Sequence, residues 1–332
     1  MIHQDGIELL TKTARNEQLK KSCEKEFAAW YAPEAIKEII KFLDKHPAAD
    51  QLSLHPKFSA DLLELLPRSG SLLDRESITL PQLLYELLCR ALYSTRIKEA
   101  GPAKRDDTHC LINHHLRDIY KNELFFCEML AFYPRETVIQ HFFKLKLSLN
   151  ELVLNDFNFL NWDKTGFSDP LWKQYFLARY IAHSLQLVPY NDQFNDLNNW
   201  ISENKKDNKH LNVWQFTTWI MLANQAYDPL KEFHSILFES FAEDDQHGVA
   251  VFKSCQEGIQ FVPERESFES DDTYSHFSKL FYKISHIDRY DYNKSAPASP
   301  VMKVFRLTVP QKKNDGNTNN NASSSSKQPG KN

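Results

Sequence analysis

Glycine is scarce in this chain: eight residues in 332, about 2% against an average usage of about 7%. Tight hairpins, phosphate-cradling loops and β-barrels all lean on glycine for positive φ or close backbone approach. Their scarcity predicts an α-rich fold. Cysteine is sparse too. Cys23, Cys89, Cys110, Cys127 and Cys255 are an odd number, widely spaced, with no C-x-x-C pair. That excludes a disulfide framework and suits a reducing compartment. No apolar run reaches the roughly 20 residues of a membrane span, and the first residues lack an apolar core of signal-peptide length, so the cytoplasm is the expected location. A net charge of −4 and a pI near 6.4 argue against a nucleic-acid partner, which asks for a basic face.

Catalytic signatures are missing as well. The chain has no G-x-S-x-G, no P-loop, no dinucleotide fingerprint and no H-E-x-x-H, so no cofactor is expected. The run His115-Leu116-Arg117-Asp118 with Asn122 fails as a kinase catalytic loop. Its asparagine is one residue too close, and no glycine-rich loop lies upstream to cover phosphates.

What the chain does have is apolar helical pattern. Leu211 to Tyr227 (LNVWQFTTWIMLANQAY) places large side chains in every direction at 100° per residue, the mark of a buried helix. Before it, helical spacing predicts helices over Asp5–Tyr31, from Pro33 to Leu43, over Phe58–Leu66 and Pro81–Ile97, and one long helix over Asp107–Tyr133 with a narrow apolar stripe through Ile112, Leu116, Ile119, Phe126, Cys127 and Leu130. Pro134 opens another, through Val138, Ile139, Phe142 and Phe143. Lys144 to Trp162 then loses helical period; its alternation fits a short β-hairpin near 145–160 or irregular chain. Asp169-Pro170 and Asp228-Pro229 look like two copies of one helix start, an aspartate cap followed by a first-turn proline. Further helices are expected over Leu171–Val188, Phe194–Ser202, Leu230–Phe241, Val249–Phe261 and Asp271–Ile287.

The expected fold class is therefore all-α, a multi-helical array of two lobes. Residues 1–160 form the first; residues 161–292 form the second, around the buried helix 211–227. Residues 293–332 form a disordered tail. Within it, residues 301–332 carry a net charge of +5, leaving −9 on the rest of the chain. An apolar island at 301–309, VMKVFRLTV, lies between Pro300 and Pro310. Its partial alternation suits an extended peptide that adds to a sheet edge or lies in a groove. Val301, Lys303, Val304, Phe305, Arg306 and Leu307 are the expected partner-binding residues.

Two clusters offer chemistry. Cys110, His114 and Asp118 recur at four-residue steps on one helix face and are an alternative metal set, although the bland reading is a solvated face. Glu123 falls within the apolar stripe. It reads first as a paired structural carboxylate; the alternative is a hydrolase-type pocket in which Glu123 works with His109 or His115. The leading expectation is a protein–protein interaction module, an adaptor, regulator or secreted bacterial effector, whose partner is another protein.

Overall fold

Every regular element among the described residues is helical, as the glycine content requires. The computed structural model describes residues 9–75, 77–100, 117–187, 192–239, 241 and 245–259. Fourteen α-helices are bounded there. The stretches carrying Asp271–Ile287 and the tail 293–332 lie outside the described residues.

The N-terminal helices are α1 (Lys12–Glu26), α2 (Ala32–Lys45), α3 (Pro47–Leu54), α4 (Ser59–Leu65) and α5 (Gly70–Leu73). Thr11 caps α1, its hydroxyl accepting from the Ala14 N–H, so the helix begins later than apolar spacing alone implies. Prolines in the first turns of α2 and α3 cost nothing, because those N–H groups have no intrahelical partner. Arg15 is buried on α1 and is paired with Asp50 on α3. The long α6 (Leu80–Ala100) packs against α3 and α4 and also against the central helix.

The second group runs α7 (Lys121–Phe132), α8 (Arg135–Lys144), α9 (Glu151–Asp156), α10 (Pro170–Leu187), α11 (Asp192–Asn204), α12 (Leu211–Ala223), α13 (Tyr227–Phe238) and α14 (Gln246–Gly258). The helix α12 is the buried centre: eleven of its residues are buried, and α10, α13, α14 and α6 pack around it. Two of its polar side chains find partners inside. Asn212 Nδ2 donates to Gln174 Oε1 at 3.0 Å, and Thr218 Oγ1 lies 3.3 Å from His234 Nε2. Aromatic rings fill the gaps between helices: Phe58 lies 5.5 Å from Trp172, and Phe159 lies 5.4 Å from Trp172 and 5.1 Å from Phe176. The described residues all belong to one compact unit.

Three local expectations change. The helix expected over Asp107–Tyr133 is interrupted at Tyr120, which leaves helical geometry (φ −102°, ψ 25°) as its buried ring meets Phe157. The alternating stretch 145–160 holds no strand. It is a link followed by α9, with one isolated bridge between Leu160 and Phe167; of the alternating leucines, Leu147 and Leu149 pack against the core while Leu145 is exposed, so no neighbouring strand is needed to cover them. The paired helix starts are not copies. Asp169 caps α10, its carboxylate accepting from the Leu171 N–H at 2.8 Å, whereas Asp228 lies inside the first turn of α13, whose cap is Ala226.

Among the described residues, left-handed positions are taken by residues other than glycine. Lys146 (φ 53°) and Gln225 (φ 57°) close α8 and α12. In each case the following N–H reaches back five residues, Leu147 to Phe142 O at 3.0 Å and Ala226 to Met221 O at 2.8 Å, the Schellman closure.

Candidate functional site

The helix α7 concentrates the polar chemistry of the body. Its sequence KNELFFCEMLAF is apolar nearly all round, and eight of its twelve residues are buried, two of them glutamates. Glu123 and Glu128 are five residues apart and so project about 140° from one another. Each reaches a different hollow.

Glu123 Oε1 accepts the Asn150 N–H at 2.9 Å. Beside it Asn122 Nδ2 donates to Ser148 O at 3.0 Å, and Asn150 Oδ1 caps α9 by accepting from the Leu152 N–H at 3.1 Å. The carboxylate therefore fastens the link between α8 and α9. It stands at an open hollow of about 690 Å³ whose lining includes Arg96, Ile119, Asn122, Glu123, Glu151 and Leu152.

Glu128 is the deeper group. Arg179 donates to its Oε1 from Nε at 2.9 Å and from the terminal Nη2 at 2.7 Å, and His183 Nδ1 lies 2.7 Å from its Oε2. Arg179 and His183 are one turn apart on α10, so a single carboxylate receives both. Burial pushes the Glu128 carboxyl up, but the neighbouring Arg179 charge and His183 outweigh it and hold it below the usual glutamate range. The same pairing keeps Arg179 charged despite its burial. A second hollow of about 380 Å³ opens beside this triad, and Arg117, Asp118 and Lys121 stand at it with Glu128, Arg179 and His183.

Several large apolar side chains along this stretch are exposed. Phe143 is 85% exposed and Leu152 77%, and Ile119, Ile139 and Leu145 are exposed with them. Helical spacing on α8 sets Ile139 and Phe143 in one apolar arc with Val138 and Phe142. Only Val138 and Phe142 are buried.

Of the residues singled out from the sequence, Asp118 is exposed at the second hollow and Glu123 lines the first. His109, Cys110, His114 and His115 lie outside the described residues, as do Val301, Lys303, Val304, Phe305, Arg306 and Leu307. Among the described residues no group of three His, Cys, Asp or Glu side chains is placed to hold a metal. Sequence reasoning missed Glu128, Arg179 and His183. The available signal was a charge inside each of two apolar helices, with Arg179 and His183 spaced by four. The four described cysteines are free and buried, and burial pushes the Cys23 thiol up to about 11 and Cys255 up to about 12. No described helix is long and apolar enough to cross a membrane.

Compared with protein-family models, with curated proteins and with solved structures, the chain matches none.

Proposed function

We propose that the chain is a protein-interaction module, of the adaptor, regulator or effector kind, that docks an acidic segment of another protein bearing apolar side chains. The docking face is α8, the link 145–150 and the start of α9. One observation carries the reading: along the consecutive stretch from α8 to α9, Phe143 and Leu152 stand largely exposed, and Ile139 and Leu145 are exposed with them, while Ile119 shares a hollow with Leu152. Large apolar side chains gathered on a surface mark interaction sites more often than scattered ones do. Lys144 and Lys146 are exposed on either side of Leu145, which favours an acidic partner. The basic peptide Val301, Lys303, Val304, Phe305, Arg306 and Leu307 stays in the proposal as a second contact, on the strength of its sequence.

The test is quantitative affinity capture with three full-length forms: wild type, Phe143→Asp with Leu152→Asp, and Phe305→Asp. All five apolar positions of the face are exposed, so the double variant should melt with wild type. A stoichiometric partner lost at least tenfold in the double variant and kept in Phe305→Asp supports the face. Loss in Phe305→Asp alone moves the interface to the C-terminal peptide, and no partner for any form sinks the interaction reading.

A further inference from the structure

The hollow between α7 and α10 has a different character from the docking face. Its walls carry three permanent cations, Arg117, Lys121 and Arg179, against two carboxylates, Asp118 and Glu128. The two carboxylates are not equivalent. Glu128 is buried and spent on Arg179 and His183, and Arg179 is spent in return. What faces an incoming molecule is Arg117, Lys121 and the His183 ring, with exposed Asp118 the one opposing charge.

We propose that this hollow binds a small anion of the phosphate class, held by Arg117, Lys121 and His183 above the fixed Glu128–Arg179 pair. Arg117 and Lys121 are four residues apart, as helix neighbours are, although Tyr120 interrupts the helix between them. The Arg117 guanidinium rests over the Tyr85 ring at 6.0 Å, and no carboxylate among the described residues forms an ion pair with it. Ring support of that kind presents a planar fork of N–H donors without neutralising it, the geometry that suits phosphate oxygens.

His183 supplies the third contact. Its Nδ1 is fixed by Glu128, and its side chain is 28% exposed. The opposite ring nitrogen, Nε2, is therefore left for the hollow, and in the doubly protonated ring, with Nδ1–H given to Glu128, the Nε2 N–H donates to an anion oxygen. A carboxylate behind one nitrogen that sets the orientation and raises the basicity of the other is a general device of histidine sites. The volume of about 380 Å³ sits at the small end of ligand cavities, which suits a phosphate or a small phosphorylated molecule and not a macromolecule.

The experiment follows the His183 ring by nitrogen-15 NMR of the full-length protein at constant ionic strength, with His183→Gln used only to assign the signal. Inorganic phosphate, pyrophosphate and malonate are titrated separately into wild type, Lys121→Ala and Arg117→Gln. The expected result is a saturable shift with phosphate and pyrophosphate, weakened at least tenfold in Lys121→Ala and abolished in Arg117→Gln. Lys121 is exposed, so that variant should keep the wild-type melting temperature. Sodium chloride reproducing the shift, or both variants binding like wild type, overturns the site. Tighter binding of malonate than of either phosphate overturns the phosphate class in favour of carboxylates. None of these outcomes touches the α8 face, so the two proposals stand or fall separately.

Discussion

At the residue scale the most consequential group is Glu128. A carboxylate and a guanidinium taken from water each carry a penalty of several kcal/mol that only close, well-directed hydrogen bonds offset. Two bonds from Arg179 and one from His183 meet that need. Glu128→Gln leaves the Arg179 charge buried beside a neutral amide, and the expected loss is roughly 3–5 kcal/mol of stability, read as a lower urea midpoint at pH 7. The pH dependence follows from the sign of the shift. The folded carboxyl titrates below its ordinary value of 4.5, so its contribution is complete above that value and is lost as pH falls through the lower, folded one. Wild type should lose stability below about pH 4.5 more steeply than Glu128→Gln does; equal acid slopes would show that the pair contributes nothing of the kind. Lys205 illustrates the same logic at a helix end. It is buried, and its Nζ donates to the carbonyls of Ile236 at 3.3 Å and Glu239 at 2.5 Å, closing α13 with a cation.

At the element scale the decisive contact is between α12 and α14. Gly258, the last residue of α14, lies so close to α12 that an added Cβ would stand 2.3 Å from the Gln215 carbonyl oxygen. Backbone cannot yield as a side chain tip can. Gly258→Ala gains helix propensity yet should destabilise by about 1–3 kcal/mol through overpacking, measured by thermal or urea unfolding; a variant as stable as wild type would mean the two helices part easily. Gly248 is a useful contrast, since its nearest neighbour is the Phe241 side chain at 3.0 Å, which can turn aside. The burial of α12 was legible because its apolar residues point in all directions, and so was the aspartate cap of α10. The break at Tyr120 was not, since nothing local distinguishes that tyrosine until Phe157 packs on it.

At the scale of the whole molecule, two lobes meeting near residue 160 are one expectation and a single folding unit is another. The buried apolar residues from Leu19 to Cys255 belong to one hydrophobic core, and α6 touches both α3 and α12. Unfolding of the body should therefore be one cooperative thermal transition by calorimetry, shifted as a whole by Glu128→Gln and by Gly258→Ala alike. Two resolved transitions, each moved by one substitution, would establish two independent lobes.

Composition and periodicity by themselves determined the helical class, the buried helix near 211–223 and the lack of any membrane-crossing helix among the described residues, because each follows from local spacing or from residue counts. Only the tertiary structure decided which charges meet. Glu128 and Arg179 are 51 residues apart in sequence, and their pairing depends on how α7 crosses α10, which no local pattern encodes. The same holds for Ile139 and Phe143. Spacing gives α8 an apolar arc, but which part of that arc is covered depends on where neighbouring elements pack, and the uncovered remainder, Ile139 and Phe143, belongs to the face on which the proposed function rests.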